Sequence, residues 1–358
     1  EGLTQNAGTW VLPLDQEFGE LARQVLSVQE YPDLREDPEG PPEQPYDAAG
    51  WTLSYQMDVD VIEVTQPLTP EILSAMQELQ TEPLAWAEEI DDASLFDAVS
   101  GVGFDSHPVA RAVQPIPGRL TGSGSGLRLN PVQNNSFRAL NRAWDMGATV
   151  RHGDGEYIVT GLGGTAVDGL IQDYALQATR GPTEGVDLSR PDLAIYRPWN
   201  PSMDEGWTRW LLEEHGFSFS NLRTADVHAG DLRDRYDVIV LPSERPGSLM
   251  NGFEAGSVPP RYEGGLGQEG VRELDQFVRA GGTLVCMSAS SDLCIDELHL
   301  PVSNATRGLA RSEFFSSGSI FEVRVDTEHP VMAGMPKLGK IFFDRSPVFG
   351  IEESFKGS

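Results

Sequence analysis

Lysine is nearly missing from this chain of 358 residues: Lys337, Lys340 and Lys356 are the only three, and the rest of the 26 basic residues are arginines. Cysteine is scarcer still. Cys286 and Cys294 stand alone, which excludes a disulfide framework and any cysteine-rich zinc module. No run approaches the roughly eighteen uninterrupted apolar residues of a membrane span, so none is expected. Positive charge is short overall, with 55 Asp and Glu against 26 Lys and Arg, a net charge of −29. Such a surface repels phosphate and argues against nucleic acid or anionic lipid as partners. Few lysines and many carboxylates suit a salty or extracellular setting, although a GC-rich genome also favours arginine. Metal-binding patterns are absent as well. His107, His152, His215, His228, His299 and His329 occur singly, none in an HxxE, HExxH or HxH arrangement. A catalytic zinc needs three clustered ligands and an open position, so no metal site is called.

What remains is enough for real cores. Apolar residues make up 39% of the chain, and 38 Gly and 25 Pro imply many turns. Three regions are expected: a strand-helix segment with a Pro-rich acidic connector over 1–46, a small α/β region over 47–185, and a larger α/β domain over 186–358. In the first, Thr9 to Leu12 reads as a strand, and Phe18, Leu21, Ala22, Val25 and Leu26 recur at helical spacing. Val59 to Val64 alternates like a half-buried strand. Thr69-Pro70-Glu71 reads as a helix start. Gly118 to Gly126 reads as a flexible loop. A β-α-β unit follows, with strands at 127–129 and 156–159 around a helix over 135–146. The chain opens on Glu1, which reads as a processed product or a part of something longer.

Past the Gly and Pro cluster at 180–191, strands are predicted at 193–196, 237–241 and 283–287, with helices over 203–215 and 270–280. Short buried strands alternating with helices predict an open, doubly wound, mostly parallel sheet. Strand-like runs return at 320–325 and 341–343.

The chemistry is then sought at the strand ends. Gly265 to Gly270 fits GxGxxG, but a loop precedes it, so a flexible helix entry explains it better than a dinucleotide site. Cys286 and Ser288 lie at the end of a predicted central strand. Counting from strand to helix puts Ala289 at the elbow, and Cys286 reads as a free cysteine buried in its strand. Ser202-Met203-Asp204-Glu205 reads as a capping box, and Trp207, Trp210 and Leu211 as a core-packed helix face. Asp204, Glu205, Glu244, Ser288, Ser290 and Asp292 are the residues placed to line a polar pocket. No catalytic residue is assigned.

Several phrases carry a resemblance. Tyr31-Pro32-Asp33-Leu34-Arg35 and Pro45-Tyr46-Asp47-Ala48-Ala49-Gly50-Trp51-Thr52-Leu53 resemble segments downstream of the catalytic domain in large bacterial zinc carboxypeptidase-like proteins. Arg197-Pro198-Trp199 with Ser202 to Trp210, then Gly281-Gly282-Thr283-Leu284, Ser312-Glu313-Phe314-Phe315 and His329-Pro330, resemble further signatures in the same order. The resemblance implies an accessory region without the peptidase's zinc ligands, so that zinc belongs only to an absent peptidase domain. It also implies a class I glutamine-amidotransferase-like domain in the second half and a secreted or periplasmic location. In true amidotransferases a Cys occupies the elbow and a His-x-Glu follows a later strand. Here Ala289 takes the first place and His329 is followed by Pro330-Val331.

The expected partner is therefore the peptidase domain of the same protein, and the expected role scaffolding, ligand binding or assembly. Two rivals stand beside it. One is an amidase or hydrolase using Cys286 or Ser288 near Glu244 and His329. The other is a self-assembling structural chain, a homo-oligomer.

Overall fold

The computed structural model describes residues 9–30, 32–40, 43, 52–57, 59–77, 81–83, 111–113, 116–310, 312–316, 318–344 and 346–351. The phrase over 45–51, His107 and most of the acidic stretch 78–110 lie outside them. The chain divides into two units, Glu1–Val28 with Thr52–Gly118, and Gln29–Trp51 with Arg119–Ser358.

In the first unit, helices α1 (Gly19–Leu26), α2 (Leu53–Gln56) and α3 (Pro70–Ala75) are short. Helix α3 starts as its sequence predicts: Pro70 occupies the first turn and Thr69 Oγ1 accepts the Ile72 N–H at 3.4 Å. Strand β1 (Thr81–Pro83) pairs antiparallel with β2 (Arg111–Val113). Two predicted strands are not formed. Residues 9–12 form no strand, and Val59, Val61, Ile62 and Val64 stand exposed in irregular chain. Alternation makes a strand only where a neighbour supplies the ladder, and the Val59 N–H instead closes a local turn onto the Ser54 carbonyl.

The second unit holds two sheets with separate cores. The first is six-stranded, in the order β3-β7-β4-β6-β5-β8. Its strands are β3 (Arg119–Gly122), β4 (Gly126–Leu129), β5 (Thr149–Gly153), β6 (Glu156–Thr160), β7 (Gln177–Gly181) and β8 (Val186–Leu188). Only β3 and β7 run parallel; the other four pairings are antiparallel. Helices α4 (Asn134–Asp145) and α5 (Gly164–Asp173) supply Ala139, Leu140, Ala143, Val167, Leu170 and Ile171 to a core with Leu127, Leu129, Val150 and Val159.

The predicted β-α-β unit is thus corrected. Its two strands are neighbours but antiparallel, because β5 intervenes and turns back into β6 through Asp154-Gly155. Both turn residues have positive φ, 53° and 75°, the requirement of a two-residue hairpin turn that matches strand twist. The expected loop over 118–126 is also partly strand. A Cβ on Gly124 would lie 2.5 Å from the Gly181 carbonyl oxygen, so glycine permits close backbone approach here.

The second sheet is four-stranded and wholly parallel, in the order β10-β9-β11-β12. Its strands are β9 (Leu193–Tyr196), β10 (Phe219–Leu222), β11 (Val238–Leu241) and β12 (Thr283–Cys286). The helices are α6 (Met203–Glu214), α7 (Thr224–His228), α8 (Leu232–Arg235), α9 (Pro246–Asn251), α10 (Gly267–Arg279) and α11 (Ser290–Glu297). Helix α10 packs on α7, α8 and α9, and Leu274 and Phe277 from it join Leu222, Val227, Leu232, Ile239, Leu241 and Leu249 in the core. The glycines before α10 act in backbone packing: a Cβ on Gly265 would meet the Leu249 carbonyl oxygen at 2.4 Å.

Two ribbons complete the unit, β13 (Val302–Asn304) with β16 (Phe349–Ile351) and β14 (Ser319–Arg324) with β15 (Leu338–Phe343), both antiparallel. The two sheet layers meet through Asn141 Nδ2, which donates to the His215 carbonyl at 2.9 Å, and through Arg190, which pairs with Asp145 at 2.6 Å. Among the described residues no helix is long and apolar enough to cross a membrane.

Candidate functional site

In the parallel sheet the strand order reverses between β9 and β11. The chain leaves β9 toward β10 on one side and later returns past β9 to β11. Ligands of open parallel sheets gather at the carboxyl ends of strands flanking such a reversal. Residues 197–209 and 242–244 occupy that edge here.

Arg197 directly follows β9, Arg209 lies in α6, and Arg223 directly follows β10. They surround one carboxylate. Glu205 has a side chain only 9% exposed, with Oε1 3.2 Å from Arg209 Nε and 3.7 Å from Arg197 Nε. The Glu205 backbone N–H donates to Ser202 Oγ, so the predicted cap is present, worth about 1 kcal/mol. The reciprocal half of a capping box is replaced by the ion pairs. Arg223 is held firmly: its Nη1 donates to the carbonyls of Arg197 at 2.7 Å and Pro198 at 3.0 Å. Its guanidinium also lies 3.8 Å from the centre of the Trp199 ring, whose edge meets Tyr262. Burial, and after it the like charge of Arg197, lower the pKa of Arg223 below the ordinary arginine value. Three buried atoms of this stretch, Asn200 Oδ1, Glu205 Oε1 and Arg209 Nε, lack an aligned hydrogen bond.

The six predicted pocket residues do not converge. Asp204 is exposed in the first turn of α6. Glu205 is consumed by the arginines. Glu244 turns back to accept the Arg245 N–H at 2.9 Å. Ser290 is fully buried, its hydroxyl within 3.0 Å of the Leu241, Pro242 and Met287 carbonyls, so it staples β11 to the turn after β12. Asp292 pairs with Arg307 at 2.6 Å and accepts from Asn304 Nδ2 at 3.0 Å, tying α11 to β13.

Ser288 differs from the others. It is exposed, has φ of +45°, and forms the bend between β12 and α11. The elbow therefore falls on Ser288, one residue before the predicted Ala289, because β12 ends at Cys286 and α11 begins only at Ser290. Among the described residues no hydrogen bond reaches the Ser288 hydroxyl, so no base is in place to activate it.

Two further expectations are overturned. Cys286 is not a free buried thiol but forms a disulfide with Cys294, linking β12 to α11. Nor do Trp207, Trp210 and Leu211 pack in a core: all three are more than half exposed, and α6 turns Glu205 inward instead.

Two clefts lie elsewhere in this unit. One, of about 680 Å³, is lined by residues such as Phe253, Glu254, Pro260 and Glu263; the other, of about 230 Å³, lies between α4 and the end of α6. None of the six predicted residues lines either. Among the described residues no group of three or more His, Cys, Asp or Glu is placed to hold a metal.

Arg197, Asn200, Arg209 and Arg223 form a candidate site outside the predicted pocket set, Arg197 and Arg209 entering the sequence reading only within the resembling phrases. A signal was present, since an arginine immediately after a predicted parallel strand stands out in so acidic a chain. In comparisons with known proteins, no family model, curated protein or solved structure matches this chain.

Proposed function

We propose that the chain is the accessory, non-catalytic part of a zinc carboxypeptidase-like protein, and that its second half is a doubly wound, amidotransferase-like domain that holds a ligand without turning it over. The observation that carries the ligand-binding reading is the arginine cluster at the carboxyl edge of the parallel sheet, where its strand order reverses. The ordered phrases from Tyr31 to His329-Pro330 support the family reading. The Cys286–Cys294 disulfide supports a secreted or periplasmic location, since such bonds persist in oxidising compartments. Native mass spectrometry of the protein purified from its source tests the accessory role. A zinc-bearing peptidase, in the same polypeptide or tightly held beside it, is expected. A lone zinc-free species of 39.1 kDa would sink the reading.

Ser288 favours a second reading, a hydrolase with its nucleophile at the elbow. Exposure and a left-handed backbone conformation at the strand-to-helix bend support it. A serine-reactive phosphonate probe decides: labelling that disappears in Ser288→Ala favours the hydrolase, and no labelling dismisses it.

A further inference from the structure

The edge of β9 carries three guanidinium groups, those of Arg197, Arg209 and Arg223. Against them stand two carboxylates, Glu205 between Arg197 and Arg209, and Asp226, which accepts the Arg223 backbone N–H at 2.9 Å. Three guanidinium groups thus gather on one edge of a molecule whose net charge is −29, with Asp204 and Glu244 on the same edge. The internal pairing of the cluster is poor. Glu205 Oε1 serves two arginines, at 3.2 and 3.7 Å, and both that oxygen and Arg209 Nε lack an aligned hydrogen bond although they are buried. An unsatisfied buried donor such as the Arg209 Nε–H costs free energy, and an added acceptor recovers it. Arg223 is already committed to the backbone of 197–198 and to Trp199, so it fixes the geometry while Arg197 and Arg209 keep donors to spare.

We propose that Arg197 and Arg209 bind the carboxylate of a small organic monoanion at the carboxyl edge of β9, with Glu205 as the internal competitor for the same donors. A planar guanidinium fork matches a carboxylate with two parallel hydrogen bonds. The assignment deepens the ligand-binding half of the proposed function and is independent of any zinc-bearing partner.

The test is a titration of the whole chain with sodium propionate at constant ionic strength, following the arginine Nε–H resonances. Inorganic phosphate serves as the comparison anion. The expected result is a saturable shift at Arg209, weakened about tenfold in Arg197→Lys, which keeps the charge but loses the fork. Glu205→Gln, which removes the competitor, is expected to tighten binding. The proposal is overturned by absence of saturation below about 50 mM propionate. It is equally overturned by binding unchanged in both variants, or by preference for phosphate. Propionate binding in a protein found without zinc or partner would leave this site standing while removing the accessory reading.

Discussion

Arg128 points its guanidinium out of the middle of β4 at 8% exposure, with Nε 2.6 Å from Glu156 and Nη2 within reach of Asp154 and the Gly153 carbonyl. The Glu156 hydrogen bond chiefly raises its pKa, so it stays charged throughout the working range. It closes the β5–β6 hairpin from the neighbouring strand. Arg128→Ala strands Glu156 and removes a packed stem, with an expected loss of about 2–4 kcal/mol in urea unfolding. Arg128→Met keeps the stem; a loss as large as that of Ala would show that the charge is what matters. A second residue gives a pH signature. The Asp192 backbone N–H, and after it Arg233, hold the Asp237 carboxyl below its ordinary pKa. A folded-state pKa that is depressed contributes stability above the unfolded value, near about 4, and loses it as pH falls through the folded one. Asp237→Asn should therefore flatten the acid side of the stability–pH curve and leave its slope above pH 7 unchanged, as read by urea midpoints.

At the scale of elements, the disulfide joins the last residue of β12 to the middle of α11 across an eight-residue separation, with the Ser288 bend inside the loop. Closing so short a loop restricts the unfolded chain by about 2–3 kcal/mol. Replacing both cysteines by serine should lower stability by that order and raise amide exchange in α11 before the rest of the sheet; equal exchange throughout would show that the bond only decorates a rigid pair. The cross-link could not be seen in composition, because two isolated cysteines say nothing of their separation in space. Three of the four parallel strands were legible, as in Val238 to Leu241, a continuous apolar run that only a doubly covered strand requires, whereas the short edge strand β10 was not called. So were the helices at 134–145 and 203–214 and the strands β14 and β15, though not their pairing. The β5–β6 hairpin was also written in the chain, in Asp154-Gly155, but the helix-first reading passed over it. The failed strands at 9–12 and 59–64 show the opposite limit: alternation states a preference, and pairing is decided by a neighbour the local sequence does not contain. For the same reason the site was half visible. Asp204, Glu244 and Ser288 follow strand ends in the chain, yet which carboxylates would be spent on arginines and helix caps depended on packing.

Over the whole molecule, a net charge of −29 makes self-repulsion a standing cost of the compact state. Screening should relieve it, so the thermal midpoint is expected to rise between low salt and about 0.5 M sodium chloride, with most of the gain once the Debye length falls below about 8 Å. A flat or falling midpoint would mean that the ion pairs, such as Arg307 with Asp292 and Asp296, outweigh the repulsion. The outward face of α6 has one more consequence. Trp207 and Trp210 stand 66% and 52% exposed, their rings 5.8 Å apart and nearly perpendicular. Two indoles at that range are coupled chromophores, giving a paired band in circular dichroism, and their emission is red-shifted by contact with water. Whatever settles over this face will shift that emission to the blue, so the protein carries its own optical gauge of whether that surface is covered.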